Sequence, residues 1–200
     1  MCGFFITFFN QPHLYINKIN FPVAHRCASL KLLPYDLPND GGFDMAIAIT
    51  LQQYMHDQNI PFDVITHDKT RTSNETASVA HVSGNCLAKT VILEDELGYV
   101  MVVVPASRHV MMSAVDEIMR RKLTLANEIE LPRLFTDCEL GAIPPIGDAY
   151  GIETMVDDSL AEQTDIYFEA GDHELLLHVS NEQFDNMMSD ALHGNFSQNN

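Results

Sequence analysis

The sequence predicts a mixed α/β fold with antiparallel strand pairs, and three observations carry that prediction. Two Val-rich apolar runs, residues 87–93 and 99–105, flank the acidic turn Glu94-Asp95-Glu96-Leu97-Gly98, which is the pattern of a central hairpin. Segments with helical spacing lie on both sides of it. Three further strand candidates, residues 151–156, 165–169 and 175–179, follow without the strict alternation that βαβ units require.

Taken in order, Ala46, Ile49, Leu51, Tyr54 and Met55 recur at near-helical spacing and Pro61 prevents continuation, which predicts a first helix. Residues 62–67 alternate, with Phe62, Val64 and Thr66 on one side, and read as a strand. Ser73 is the expected cap of a helix running through residues 76–81, and Gly84-Asn85 breaks the chain before the hairpin. After the hairpin, residues 113–122 read as helix and 123–126 as a short strand. Asn127 is the expected cap of another helix, with Glu128 and Glu130 in its first turn. The segment Gly141-Ala142-Ile143-Pro144-Pro145-Ile146-Gly147 is too rich in Gly and Pro to be helix or strand. Ser180 is expected to cap a final helix ending near Met188, and the polar residues 194–200 are expected to fray.

Composition bounds the function. Two hundred residues, 46% hydrophobic and 20% charged, make one ordinary domain with a tail rather than a fibre or a disordered chain. A formal charge of -17 opposes broad wrapping of a polyanion or docking on an anionic membrane, so any nucleic-acid contact is local and neither DNA nor a membrane is an expected partner. Cys2, Cys27, Cys86 and Cys138 are widely spaced, with no CxxC and no Cys/His pair at zinc-ligand spacing, so no metal is expected. The apolar start lacks a basic flank and a small-residue cleavage site, and the expectation is a cytoplasmic protein with reduced thiols.

The composition shifts near Met45. Residues 1–44 carry Lys18, Arg26 and Lys31 against Asp36, Asp40 and Asp44, so the entire net charge arises beyond them. They show no sustained periodicity and read as an N-terminal extension, with translation expected to begin at Met45. The domain is expected over residues 45–190, with a polar tail over 191–200.

Three features stand out chemically. Lys89 lies in an otherwise apolar strand, where an ammonium must either reach solvent at a strand end or meet an anion such as a phosphate or carboxylate. The segment from Gly141 to Gly147 has glycines that let a backbone approach a ligand and prolines that hold it rigid, but it has neither a Walker ending nor GxGxxG spacing. It is a preorganised cradle or a plain structural turn. Glu169-Ala170-Gly171-Asp172-His173-Glu174 is a polar turn in which His173 is suited to bonding a substrate or water near neutral pH. His56, His67, His81, His109 and His178 stand singly and are assigned to surface or core edges. No GxSxG and no Cys/His pair close in sequence offers a nucleophile.

Taken together, His81-Val82-Ser83-Gly84, Leu87-Ala88-Lys89-Thr90-Val91, Val104-Pro105-Ala106, the run from Phe135 through Gly141 to Pro145, and Tyr167-Phe168-Glu169-Ala170-Gly171-Asp172-His173-Glu174 resemble the YbaK/ProX family. These are freestanding relatives of the editing insertion of bacterial prolyl-tRNA synthetase. The resemblance runs from about Met45 to Phe184. It implies a barrel-like mixed sheet flanked by helices and hydrolysis of mischarged aminoacyl-tRNA without a cofactor. It also implies roles for particular residues. Lys89 matches the family's functional lysine and contacts the 3'-terminal part of the substrate, and Thr90 borders the same pocket. Gly141 and Pro145 match the ends of a GxxxP loop that holds the terminal adenosine and the ester, while Gly171 and His173 match a pocket-wall turn near the aminoacyl group.

The expected partner is the acceptor end of a mischarged tRNA, with tRNA(Pro) carrying Ala or Cys first; an aminoacyl-tRNA synthetase is the second. The alternative is a catalytically weak module that binds an amino-acid-like or nucleotide-like ligand or associates with a synthetase. Only eight basic residues lie beyond Met45, and Arg108, Arg120, Arg121, Lys122 and Arg133 are the candidates to share a face with Lys89.

Overall fold

The computed structural model describes residues 33–34 and 47–199. The expectations of an N-terminal extension over residues 1–44 and of a start at Met45 therefore fall, apart from one two-residue strand, outside the described residues. The main sheet is mixed. In spatial order it contains β1 (Leu33–Pro34), β2 (Asp63–Thr66), β9 (Leu175–Ser180), β8 (Asp165–Glu169), β3 (Leu87–Asp95), β4 (Gly98–Pro105), β7 (Glu153–Asp157) and β10 (Leu192–Gly194), with β6 (Thr124–Leu125) beside β3. β5 (Arg108–Val110) and β11 (Ser197–Asn199) form a separate antiparallel ribbon. The helices are α1 (Ile49–Asp57), α2 (Ser73–Val79), α3 (Met112–Met119), α4 (Leu131–Leu134) and α5 (Asn181–Met187). β3 pairs antiparallel with β4 and parallel with β8, so the centre of the sheet mixes both directions.

The hairpin forms as its sequence demands. Asp95 pairs with Gly98 across a two-residue turn; the Asp95 side chain accepts from Leu97 N at 2.9 Å, and Gly98 supplies a φ of +130°. Both strands are buried on two faces, which explains their continuous apolar runs. One face carries the largest cluster: Ala88, Ile92, Met101, Val103, Ile166 and Phe168 pack against Leu51 and Met55 of α1, Leu131 of α4, Phe184 of α5, and Ile143 and Ile146. The other face is covered in two halves. Val115 of α3 packs with Leu93, Val100, Val102 and Val104, whereas Ala77 of α2 packs with Ile65, Leu87 and Leu176.

Two helix starts differ from expectation. The cap of α2 is Thr72 rather than Ser73: the Thr72 hydroxyl accepts from Glu75 N at 3.3 Å. Asn127 caps a turn rather than a helix, accepting from Ile129 N at 3.1 Å, and α4 starts at Leu131. Pro132 has no N–H and fits only a first turn, which sets the start of the helix just before it. At the last helix the expectation holds, and Ser180 and Gln183 form a reciprocal capping box.

Residues 194–199 are not frayed. Phe196 is fully buried among Val100, Val104 and Met155, its N–H donates to Asp157 Oδ2 at 3.0 Å, and its carbonyl accepts from Met111 N at 2.7 Å. β10 and β11 flank it. One aromatic residue among polar ones is too little periodicity to mark a strand, yet its burial docks the whole segment. Phe196→Ala is expected to lower stability by about 3–5 kcal/mol in urea unfolding; a loss below about 1 kcal/mol would mean that the segment does not pack as described.

Candidate functional site

The centre of the sheet is incompletely paired. In β3, Leu87, Ala88, Ile92 and Leu93 are buried, but residues 89–91 are only partly so. The cause is the strand pairing. On the side away from β4, β3 meets β8 at Leu87 and Ala88 and next meets β6 at Leu93 and Glu94. Ala106 N donates to Leu87 O across the β4 side, so the backbone groups of odd-numbered residues face β4 and those of even-numbered residues face the other side. Ile92 O accordingly accepts from Ala126 N at 3.0 Å, while Thr90, between Ala88 and Ile92, directs its peptide groups into the gap. The Thr90 hydroxyl is buried and has no hydrogen-bond partner.

Lys89 and Thr90 border this gap from opposite faces, because side chains alternate along a strand. Thr90 shares a face with Ala88 and Ile92, whereas Lys89 shares one with Leu87, Val91 and Leu93. Against the expectation that they border one pocket, the Thr90 hydroxyl and the Lys89 ammonium lie on opposite faces of the sheet and share only the backbone between them. Lys89 sits at the seam between the α2 and α3 halves of its face, on a central strand rather than an edge. Its half-buried ammonium donates to Arg108 O at 2.5 Å and to Ala106 O at 3.4 Å. Among the described residues no carboxylate forms an ion pair with it. Burial lowers its pKa. An ammonium has three N–H donors, and two are used here on neutral carbonyls, so the uncompensated charge favours an incoming anion or polarised oxygen.

The other expected residues form a second group. Gly141 is at φ +89°, and a Cβ there would lie 3.1 Å from His173 Cε1. His173 Nε2 donates to Leu140 O at 2.7 Å, and Glu139 N donates to Gly171 O at 2.7 Å, so the start of the loop is tied to the polar turn by two hydrogen bonds. Gly171 is at φ +124° and packs so close to α1 that a Cβ would meet Ala48 Cβ at 3.0 Å; beside it, Ala48 N donates to Ala170 O at 2.8 Å. Pro145 is buried with its neighbours Pro144 and Ile146. Of the loop, Gly141 is exposed and residues 142–147 are buried, which makes it a rigid wall rather than a mobile flap.

Two of the five basic residues expected to share a face with Lys89 are committed elsewhere. Arg108 faces the buried Asp157 at 3.6 Å and Ser197 Oγ at 3.2 Å, and Arg121 pairs with Asp95 at 3.4 Å and Glu153 at 2.9 Å. Arg120, Lys122 and Arg133 are exposed. Burial pushes the Cys138 thiol up to about 11, so it is not a thiolate at neutral pH. Among the described residues no His, Cys, Asp and Glu group is arranged to hold a metal ion, and no helix is long and apolar enough to cross a membrane. Two clefts, of about 520 Å³ beside α1 and about 400 Å³ between α1, α5 and residues 146–154, do not include Lys89.

Comparison with known proteins shows the family and the fold. The aminoacyl-tRNA editing domain family matches residues 67–187, and the chain belongs to that family. Its fold is similar to that of a protein described as a trans-editing enzyme for prolyl tRNA synthetase, with a TM-score of 0.67 and 16% identity over 76% of this chain and 96% of that one. A hypothetical protein of known crystal structure gives a TM-score of 0.66 and 22% identity, covering 74% of this chain and 99% of that one. A protein from Marinobacter aquaeolei VT8 described as acting in signal transduction gives 0.61 and 22%, with 74% of this chain matching 30% of that longer one. No curated protein matches the chain.

The sequence pointed to Lys89 and to the Gly141 and His173 segments. It gave no sign of the gap between β3 and β8, nor that the buried Glu169 is anchored on the Thr76 hydroxyl of α2, because such partners are long-range. Gly171→Ala is expected to cost about 1–3 kcal/mol from backbone strain alone, with crowding against Ala48 adding to it. A melting temperature unchanged from wild type would contradict the described turn.

Proposed function

We propose that the protein is a trans-editing aminoacyl-tRNA deacylase, hydrolysing the ester between a wrongly attached amino acid and the 3' end of its tRNA, with tRNA(Pro) carrying Ala or Cys as substrate. The observation that supports this most is the family match over residues 67–187, which spans Lys89, Gly141 to Pro145, Gly171 and His173 together. In this reading Lys89 contacts the 3'-terminal part of the substrate from the seam. The peptide edge of Thr90 lies beside it.

The loop beginning at Gly141 and held by Pro145 presents backbone groups to the ester, and Gly171 and His173 wall the aminoacyl side. Water adds to the ester carbonyl, the bond to the ribose oxygen breaks, and the free amino acid and the tRNA hydroxyl leave. An aminoacyl ester is already reactive, so positioning and oxyanion stabilisation supply what the reaction needs, without a side-chain nucleophile. The acid-rich surface confines contact to the acceptor end, with weak binding and modest salt dependence; a synthetase that delivers the tRNA would compensate for weak binding.

The test is hydrolysis of a panel of mischarged tRNAs, Ala-tRNA(Pro) and Cys-tRNA(Pro) first, by the protein and by Lys89→Ala. Rapid loss of one species is expected, with kcat/KM falling roughly 100-fold or more in the variant. Full activity in a folded Lys89→Ala protein would remove Lys89 from the reaction. Binding without turnover by the wild type would instead identify a binding module.

A further inference from the structure

The carbonyls that hold the Lys89 ammonium, Ala106 O and Arg108 O, lie just beyond β4. Ala106 is tied to β3 by its own N–H, which donates to Leu87 O at 2.8 Å. Arg108 opens β5 and is held instead by the C-terminal segment, opposite Asn199 of β11. Met111 N donates to Phe196 O at 2.7 Å across the ribbon, so the peptide groups of residues 109 and 111 face β11 and those of Arg108 face away from it. In that orientation Arg108 O accepts from Lys89 Nζ at 2.5 Å. β10 and β11 lie beyond residues 67–187 of the family match, yet they set the direction of this carbonyl.

Asp157 fastens the ribbon to the sheet. It is the last residue of β7, and its side chain is fully buried on the face that carries Met155, the same face as Lys89. Oδ2 accepts from Phe196 N at 3.0 Å. Oδ1 accepts from Ser159 N at 3.1 Å and from the Ser159 hydroxyl, and it faces Arg108 Nη1 at 3.6 Å. The same Nη1 donates to Ser197 Oγ at 3.2 Å. A buried carboxylate is costly unless its charge is met and its lone pairs are used; here a guanidinium and the bonds from Phe196 and Ser159 meet both conditions. One side chain therefore holds both strands of the ribbon, and its contact with Arg108 sits on the residue whose carbonyl orients Lys89.

We propose that Asp157 is a positioning residue for Lys89: by fixing Arg108 and the Phe196 segment against the sheet, it keeps the Arg108 carbonyl where it directs the ammonium. It acts through Arg108 and touches no substrate. This rests on the reading of Lys89 as the residue that contacts the substrate, but the ammonium itself is observable without any substrate.

The experiment is nitrogen NMR of the lysine ammonium groups in the full chain, for wild type and Asp157→Asn under conditions where both are folded. It is run beside deacylation kinetics of Asp157→Asn, Lys89→Ala and the double variant. Asn keeps the volume and an acceptor oxygen and removes the charge that faces Arg108. The expected result is a shifted Lys89 signal whose protons exchange faster with water, while the signal of Lys69, bonded to Glu139 at 2.7 Å, stays in place. Asp157→Asn is expected to lower kcat/KM several-fold, and to lower it no further when added to Lys89→Ala. A residue that only stabilises the fold gives independent, additive losses. An unchanged Lys89 signal overturns the proposal whether or not the protein hydrolyses aminoacyl-tRNA, and so does an additive pair. A shifted signal in a protein with no turnover supports the positioning and counts instead against the deacylase reading. If Asp157→Asn does not fold, Arg108→Gln takes its place: it removes the other half of the same ion pair and leaves the carbonyl, and an unchanged Lys89 signal there overturns the proposal.

Discussion

The structure depends on one strand satisfying three neighbours. β3 is hydrogen-bonded along one edge to β4 for its whole length, but its other edge is divided between β8 and β6. The division leaves the peptide groups of Thr90 facing a gap at the centre of a buried sheet. Central strands otherwise have their peptide groups paired, because an unpaired peptide inside a protein is costly. Here that cost coincides with the partial exposure of Lys89 and Thr90, the two residues that the apolar pattern of β3 least accommodates.

Electrostatics gives the gap its character. A chain with a formal charge of -17 repels RNA over most of its surface. At the seam, however, an ammonium is held by two backbone carbonyls and has no carboxylate partner among the described residues. Arg108 contributes its carbonyl to Lys89 while its own charge is absorbed by Asp157, so the local positive charge is that of Lys89. Such an arrangement suits a small anionic or polarised group presented at the tip of a larger molecule. The Gly141 loop is rigid, since residues 142–147 are buried and its start is bonded to Gly171 and His173.

Much of the fold was legible because local patterns agree with the tertiary structure. The β3–β4 hairpin, β8, β9 and α5 announce themselves through apolar runs, a two-residue turn and a capping box. α4 and the end of the chain were misread for physical reasons: Pro132 overrides the Asn127 cap, and Phe196 docks the C-terminal strands by a single side chain. For the candidate site, Lys89 was legible as a misplaced charge, Gly141 as part of a Gly- and Pro-rich loop, and Gly171 and His173 as part of a polar turn; that all three turn residues sit at positive φ was not. That Lys89 and Thr90 approach one gap from opposite faces was not legible. Side-chain alternation is local, but the place where β8 leaves β3 is set by contacts about eighty residues apart in sequence.

The most direct test of the central claim is amine and amide NMR of the full chain titrated with a non-hydrolysable 3'-aminoacyl-adenosine analogue. Shifts centred on the Lys89 ammonium and the Thr90 amide, continuing to Gly141, are expected from a substrate end lying in the gap. Shifts confined to the cleft lined by Gln52, His56 and Phe62, with Lys89 and Thr90 unmoved, would contradict it.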